Sequence, residues 1–436
     1  MESYPSYKDS GVEWIGEIPS HWDSKRLKHI SNFQSGYSFK SEDFSIDEEI
    51  PVVRIGDVGD KIDFSKCVKL SKTFLDEHKD FIIKKNDIMV GMTGGTIGKS
   101  GKYIYDEPSL LNQRVCLLRN QSSILNGLLY HYVKSEIFKR YIFFYCYGGG
   151  QDNIGREDIM NMIIPLSSLE TQTQIVSFLD NKTQKIDELI EKTEQKIELL
   201  KEKRTSLINH CVTKGLNPDV EMKDSGVEWI GEIPSHWETS QIKFVTQLFR
   251  GKFSHRPRND QRFYNGEYPF IQTGDIVSSG KYLTNYTQTL NEKGYSVSKE
   301  FPLNTLVMTI SGNIGDVSIL KIKSCFPDSI IGFFPFKNTS VDFLYFVFSS
   351  LKNEFYKNST ISTQMNLNIE RVGSIKVPLL PKSEQTKIVE YLDEQTQKID
   401  STIEKETQRT ELLKEYRQSL ISEVVTGKVD VRNYNG

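Results

Sequence analysis

The sequence lacks the features of a membrane protein or of a disulfide-stabilised secreted protein. No stretch approaches the ~20 consecutive apolar residues that a membrane-spanning helix needs, and the chain does not open with a basic end followed by an apolar core. The five cysteines lie far apart with no CxxC pair, which argues against a disulfide framework and against a structural zinc site. We therefore expect a soluble chain in the cytoplasm that has no membrane partner.

Catalytic motifs are missing as well. The histidines show no HExxH or HxH spacing, and neither a serine nucleophile elbow nor a Pro-Pro pair of a DNA-methyltransferase tetrad occurs. TGGTIGKS at residues 93–100 resembles a P-loop, but Thr93 stands at the first glycine position, and Asp316 replaces the lysine in a second copy of the loop. We predict no catalytic, cofactor or metal residues. A nucleotide-hydrolysing enzyme that uses the Gly94 loop and Lys99 is a weaker alternative.

A long internal repeat dominates what is present. KDSGVEWIGEIPSHW occurs at residues 8–22 and again, letter for letter, at residues 223–237. Residues 172–208 match residues 385–421 at 24 of 37 positions without a gap, and QDNI at 151–154 pairs with QMNL at 364–367. A repeat of about half the chain indicates two similar domains rather than a solenoid, whose units have roughly 20–50 residues. The middles of the halves diverge, which suggests one scaffold carrying two different recognition surfaces.

Each half ends in a strongly helical stretch with a heptad pattern. A capping box at residues 167–170 opens the first stretch, and Gly215 with Pro218 supplies its stop, while the second ends near Gly427. Each helix is expected to reach about 45 residues, roughly 65–70 Å at 1.5 Å per residue. We predict that the helices pair antiparallel along a seam that also includes Thr193, Arg204, Glu406, Thr410 and Arg417. The apolar seam positions are Ile186, Ile190, Ile197, Leu200, Leu207, Ile399, Ile403, Leu413 and Leu420.

The globular parts contain short strand-like runs separated by Gly, Asp, Asn and Pro, with one helical patch at residues 124–145 and another at residues 342–357. We therefore predict an α+β fold in which two mostly-β domains are joined by two long antiparallel coiled-coil helices with pseudo-twofold symmetry. The expected boundaries are 1–165 for the first domain and 166–221 for the central helix. Residues 222–380 form the second domain, and residues 381–436 form the C-terminal helix.

The charge pattern singles out one segment for nucleic-acid binding. The chain carries 55 basic and 58 acidic residues, so no overall basic footprint exists. Residues 250–262 nevertheless hold five basic residues and one acidic residue, and arginine forks of this kind bind guanine edges or phosphates. A solvated loop is the alternative interpretation. The candidate DNA-contacting residues are Arg250, Lys252, Arg256, Arg258 and Arg262 in the second domain, with Tyr37, Lys40, Arg54, Lys84, Lys85 and Lys99 in the first.

These motifs together resemble a known family. The repeated KDSGVEWIGEIPSHW, the GTIG-type turn and the paired openings ETQTQIVSFLDNKTQKID and SEQTKIVEYLDEQTQKID look like the specificity subunit of type I restriction-modification enzymes. The resemblance covers essentially the whole chain. It implies two target recognition domains, each reading one half of a bipartite site in double-stranded DNA, and helices that set the spacer between the half-sites.

The resemblance also implies partners. Two methyltransferase subunits would dock on the helices and methylate adenine with S-adenosylmethionine, and restriction subunits would use ATP and Mg to complete an endonuclease. The cofactors are therefore expected on those subunits and not on this chain. The first domain is net acidic, which departs from the pattern expected of a DNA-facing surface. A coiled-coil adaptor that does not touch DNA is the alternative function.

Overall fold

The computed structural model describes residues 2–146, 153–357 and 367–434. The chain divides into two compact units, one formed by Met1–Glu194 with Thr407–Gly436 and the other by Gln195–Glu406. Each unit therefore combines one globular domain with parts of both long helices. None of the helices in the described ranges has the length and apolar character needed to span a bilayer.

The first unit is an α+β assembly of short strands and helices. Its strands are β1 (Tyr7–Asp9), β2 (Glu17–Pro19), β3 (Asp23–Arg26), β4 (Ser31–Ser35), β5 (Ile50–Val53), β6 (Lys69–Leu70), β7 (Ile82–Ile83), β8 (Ile88–Gly91), β9 (Ser100–Lys102), β10 (Ser109–Leu111), β11 (Val115–Asn120) and β12 (Ile163–Leu166). Its helices are α1 (Thr73–Glu77), α2 (Asn126–Lys134), α3 (Glu136–Cys146), α4 (Arg156–Asn161), the first part of α5 (Leu169–Lys214) and the C-terminal part of the second long helix.

Two four-stranded sheets form the body of this unit. One has the order β4-β11-β8-β9 with antiparallel neighbours, and the other has the order β6-β5-β10-β7, in which β10 runs parallel to β5. Residues 115–118 of β11 are buried because β11 pairs on both edges and the two faces of its sheet are covered. Instead of the single helical patch expected at residues 124–145, two helices meet at Ser135, whose hydroxyl accepts the Phe138 amide and thereby starts α3.

The second unit repeats this plan with different details. Its strands are β13 (Met222–Asp224), β14 (Glu232–Pro234), β15 (Glu238–Gln241), β16 (Thr246–Arg250), β17 (Tyr264–Pro269), β18 (Tyr282–Leu283), β19 (Thr289–Leu290), β20 (Glu300–Phe301), β21 (Leu306–Thr309), β22 (Val317–Leu320), β23 (Ser324–Cys325), β24 (Ile330–Pro335) and β25 (Lys376–Leu379). Its helices are α6 (Ile242–Val245), α7 (Thr273–Ser278), α8 (Glu292–Ser296), α9 (Val341–Ser350), α10 (Lys352–Lys357), α11 (Ile369–Ser374) and parts of α5 and α12 (Lys382–Val425).

Corresponding strands identify equivalent positions in the two units. The sheet β16-β24-β21-β22-β18 reproduces the order β4-β11-β8-β9 with one added strand. Cys116 of β11 pairs with Ser35 of β4, and Ile331 of β24 pairs with Arg250 of β16. The repeated motif supplies a fully buried tryptophan to the main core of each unit, Trp22 in the first and Trp237 in the second.

The long helices have the expected length and ends. They contain 46 and 44 residues, and the Ser168 hydroxyl caps α5 by accepting the Thr171 amide. Gly215 and Gly427 follow the helices with φ of +78° and +73°, in the left-handed region that glycine adopts without strain. The chain therefore leaves each helix through a glycine that packs against the buried tryptophan of its own unit.

Within each unit the helix segments run antiparallel. In the first unit Asp187 pairs with Arg417 and Glu194 pairs with Lys414, so the sequence numbers rise on one helix as they fall on the other. In the second unit Lys196 pairs with Glu406, and Arg204 pairs with Asp400. The nine apolar seam residues are all buried or half-buried, as a heptad seam between two helices requires.

Candidate nucleic-acid interface

The basic segment at residues 250–262 leaves the end of β16 and is anchored by a small aromatic core. Phe253, Tyr264 and Phe270 pack together with Leu290 and Cys325, and Phe253 lies 5.2 Å from Phe270 between ring centroids. This core lies under the segment, while the side chains of Arg250, Lys252, Arg256, Arg258 and Arg262 remain exposed. The segment therefore presents its cations from a supported loop.

Asp328, in the turn before β24, gathers three of these arginines. Its carboxylate accepts hydrogen bonds from Arg256, at 3.3 Å, and from Arg258. Its main-chain oxygen accepts a hydrogen bond from Arg250 Nε at 2.6 Å. Arg256 is held further by the main-chain oxygens of Phe253 and His255. The arginines therefore form one group, which we call the Asp328 cluster (Arg250, Arg256, Arg258 and Asp328).

The last arginine of the segment is neutralised locally. Arg262 donates from Nε and Nη2 to the carboxylate of Asp260, and the shortest of these contacts is 2.6 Å. These hydrogen bonds, with one from the Arg262 amide, hold the pKa of Asp260 well below its usual range. Lys252, by contrast, has no ion-pair partner in the described part of the chain. The segment is thus less positive in effect than its composition indicates.

In the first unit the structure brings Arg54 and Lys99 to one cleft. A cleft of about 470 Å³ is lined by residues of the segment between β4 and β5, of the turn after β5 and of the turn before β11, namely Phe39, Ser41, Phe44, Arg54, Ile55, Gly56, Asp57, Asn112, Gln113 and Arg114. Lys99 Nζ donates to the Gly56 oxygen at 3.3 Å, and Arg54 Nε lies 3.6 Å from an Asp57 carboxylate oxygen. A cleft with cationic and amide side chains at its rim is suited to contacts with DNA.

Among the remaining candidates of this unit, Tyr37 lies beside the cleft, because its main-chain oxygen accepts a hydrogen bond from the Gln113 amide at 2.9 Å. Tyr37 packs in an aromatic group with Phe39, His78 and Phe81, and Lys40 lies 3.6 Å from Glu42. Lys84 and Lys85 precede β8, at the end of that strand away from the cleft, and Lys85 pairs with Asp106 at 3.0 Å. The structure therefore places Tyr37 near the cleft with Arg54 and Lys99 and leaves Lys84 and Lys85 apart from them.

Arg114 and Gln113 were missed by the sequence reasoning. Gly36 N donates to the Val115 oxygen and Gly251 N to the Ile330 oxygen, so the two glycines are equivalent. A Cβ on Gly36 would lie 2.1 Å from the Asn112 oxygen, and one on Gly251 would lie 2.2 Å from the Pro327 oxygen. The acceptor residues Val115 and Ile330 are therefore equivalent as well. Gln113 and Asp328 each lie two residues before the acceptor, so Gln113 is the equivalent of Asp328. The shared glycine after β4 and β16 was the one available signal.

The loop that resembles a P-loop has a different structure. Gly94–Thr96 forms a single 3₁₀ turn between the antiparallel strands β8 and β9, whereas a P-loop leads from a strand into a helix. Asn153 forms an isolated bridge with Thr93 of the same loop. Gln151, Gln364 and Asn366, which recur in the sequence with Asn153, lie outside the described residues. The loop is therefore part of a sheet edge, which does not support nucleotide hydrolysis.

Comparison with known proteins decides the family. A model described as the type I restriction modification DNA specificity domain matches residues 19–199 and again residues 234–414. The chain belongs to this type I specificity family. Membership assigns it the role of DNA specificity subunit, and the alternative of an adaptor without DNA contact is not favoured.

Two relatives from Methanocaldococcus jannaschii match the chain over nearly its full length. The MjaVIII specificity subunit of a type I restriction enzyme is 25% identical over 440 residues, which cover 96% of this chain and 95% of that protein. The putative MjaX specificity subunit is 26% identical over 432 residues, which cover 96% of each. The similarity to both relatives therefore extends over both halves of this chain.

Solved structures share the fold of this specificity-family chain. A chain from a structure describing complex assembly and conformational transition of the type I R-M system aligns with a TM-score of 0.70 at 15% identity, covering 94% of this chain and 99% of that one. The HsdS subunit from Thermoanaerobacter tengcongensis aligns with a TM-score of 0.50 at 15% identity, covering 94% and 98%.

Proposed function

We propose that the chain recognises a bipartite site in double-stranded DNA, with each unit reading one half-site. The Asp328 cluster, with its exposed arginines, and the Arg54 cleft are surfaces at equivalent places in the two units, because Asp328 and Gln113 are equivalent. Arginine and glutamine side chains at those places suit major-groove reading, in which arginine pairs with guanine and glutamine pairs with adenine. The equivalence of these two unlike surfaces is the observation that carries the proposal.

Phosphate contacts would set the position of each unit on the duplex. Lys252 and Lys99 are exposed and lie beside the two surfaces, and lysines beside base-reading side chains bind the backbone without sequence preference. Because each phosphate contact releases counterions, the affinity falls as salt rises. Tyr37, Lys40, Arg262, Lys84 and Lys85 are secondary candidates for such contacts.

The two long helices would set the spacer and dock the partners. Their charged outer faces repeat with a shift of 213 residues, which provides equivalent surfaces for two copies of one partner. We propose that these partners are two methyltransferase subunits, joined in the full complex by restriction subunits in the cytoplasm. The chain would contribute recognition alone, while S-adenosylmethionine, ATP and Mg would be bound by the partners.

Adenine methylation mapped across a host genome that carries the complete system tests this proposal. We expect one bipartite motif with two unlike half-sites. Exchanging residues 238–362 for the corresponding segment of a relative should change one half-site and preserve the other. A motif altered in both halves would contradict the modular assignment, and loss of all methylation without loss of complex assembly would show that the graft itself is defective.

A further inference from the structure

We propose that Asp328 is a specificity-determining residue of the second unit. Its carboxylate positions Arg258 for base contacts and lowers the attraction of the arginine segment for phosphates of any sequence. This inference rests on the proposed function, and the experiment below separates the two.

The geometry of the cluster holds Arg256 and orients Arg258. Arg256 is tied at three points, by the Phe253 and His255 oxygens and by Asp328, so most of its donors are occupied. Arg258 is held through Nη2 by the same carboxylate, and its main-chain oxygen accepts the Tyr264 hydroxyl. A guanidinium carries five N–H donors. Arg258 is therefore oriented by one contact while other donors remain available to a base edge.

The Asp328 carboxylate also changes the balance of charge at this surface. The Asp328 side chain is 36% exposed, and those of Arg256 and Arg258 are 52% and 45% exposed, so the carboxylate lies at the surface that DNA would approach. A carboxylate there repels phosphates and compensates one of the two arginines. Nonspecific affinity, which depends on uncompensated cations, is lowered. A base contact made by a pre-oriented side chain loses less conformational entropy, so specific affinity is retained.

The first unit has no carboxylate at the position of Asp328. The equivalent position holds neutral Gln113, and Arg54 and Arg114 line the same cleft. The carboxylate near Arg54 is Asp57, three residues along the chain and 3.6 Å away, whereas Arg114 has no ion-pair partner among residues 2–146 or the other described ranges. The two units thus differ at this position by one negative charge.

Asp328→Asn in the assembled methyltransferase complex tests the inference. Affinity is measured at several salt concentrations for a duplex carrying the site mapped by adenine methylation and for a scrambled duplex of equal length. We expect the variant to bind the scrambled duplex about 5–10-fold more tightly and the mapped duplex no more tightly. The salt dependence on the scrambled duplex should steepen by about one unit in the log–log slope.

Matched variants separate this role from a general charge effect. Asp219→Asn removes an exposed carboxylate from the turn after α5 and should leave the ratio of the two affinities unchanged. Gln113→Asp should weaken binding of the scrambled duplex. Arg258→Lys, which keeps the charge but loses the guanidinium fork, should weaken binding of the mapped duplex about tenfold and leave the scrambled duplex within twofold.

The outcomes distinguish the two hypotheses. An Asp328→Asn complex with an unchanged affinity ratio overturns the inference while leaving the proposed function intact. If Asp328→Asn fails to fold, Arg258→Lys decides, and equal losses on both duplexes overturn the inference. A wild-type complex that does not prefer the mapped duplex contradicts the proposed function itself.

Discussion

The Arg417 guanidinium lies 2.7 Å from the Asp187 carboxylate in the first unit. The second unit makes the same pair between Arg204 and Asp400 at 2.8 Å, and each residue of one pair lies 213 positions from its counterpart in the other. Each of the two ion pairs therefore joins a residue of α5, in the first copy of the repeat, to a residue of α12, in the second copy. Such a pair specifies which segments of the two helices face each other, because another register would leave a half-buried arginine without its carboxylate.

Charge reversal tests this role in register. Arg417→Asp should lower the free energy of unfolding of the first unit by about 1–2 kcal/mol, because it places two carboxylates together. Asp187→Arg added to it should restore most of the loss, giving a coupling energy of about 1 kcal/mol. Calorimetric unfolding of the four proteins of the cycle measures this. A coupling indistinguishable from zero would show that the pair does not specify register, and the Arg204–Asp400 cycle provides an independent repeat.

Gly427 provides a sharper test of helix-end packing. A Cβ at this position would lie 2.4 Å from Pro19 Cδ and 3.1 Å from Trp22 Cη2, in a backbone conformation with φ of +73°. Gly427→Ala should therefore cost about 3 kcal/mol or more, combining backbone strain with overpacking. The midpoint of thermal unfolding reports this loss.

Gly11 supplies the matched control, since it has the same φ of +73° and nothing within 4 Å of its would-be Cβ. Gly11→Ala should cost about 1 kcal/mol, the backbone contribution alone. Gly215→Ala should lie between them, because its nearest contact is Trp237 at 3.3 Å. Equal losses at Gly11 and Gly427 would rule out the packing contribution.

The sequence predicted the features that depend on local patterns. The start of α5 follows from the cap at Ser168, and the C-terminal ends of α5 and α12 follow from Gly215 and Gly427. Capping and left-handed backbone are properties of a few adjacent residues. The seam follows from the heptad spacing. Both are encoded within a turn or two of the helix, so they can be predicted without tertiary contacts.

The candidate interface depended on contacts that the sequence could not indicate. Asp328 lies 72 residues from Arg256 and 70 from Arg258, and the chain between them folds into several strands before the residues meet. No periodicity links a carboxylate in one turn with a cation in another. Arg114 was similarly missed because the middles of the two halves do not align in sequence, and its equivalence with the second unit emerges from strand pairing.

Asp342 is expected to make the stability of the second unit fall in acid, because it pairs with Lys281. The Lys281 ammonium lies 2.5 Å from Asp393 and 3.0 Å from Asp342. Burial alone would raise the pKa of Asp342, but hydrogen bonds from Tyr282 and Lys281 outweigh burial and lower that pKa. A carboxylate whose pKa is lower in the folded state stabilises the fold above its unfolded value of about 3.9, and this contribution is lost as pH falls through the folded value.

Asp342→Asn should therefore destabilise the second unit by about 1–2 kcal/mol at pH 7. The difference from wild type should shrink as pH falls below about 4, because the wild-type carboxyl then takes up a proton. Unfolding temperatures of both proteins between pH 7 and pH 3 measure this convergence, with Asp219→Asn as a control. A difference that stays constant over this range would contradict the assigned role of the Asp342 carboxylate.

The helices provide the last test, because their length should determine the spacer between half-sites. Deleting one heptad from both α5 and α12, at repeat-related positions away from the Arg204–Asp400 and Arg417–Asp187 pairs, removes about 10 Å from each helix and preserves the seam. The methylated motif of the shortened complex should have a spacer about 3 base pairs shorter, since B-DNA rises about 3.4 Å per base pair. A two-residue deletion rotates the following part of each seam by about 200°, away from the partner helix, and should abolish assembly. Methylation with an unchanged spacer after the heptad deletion would show that the helices do not measure the site.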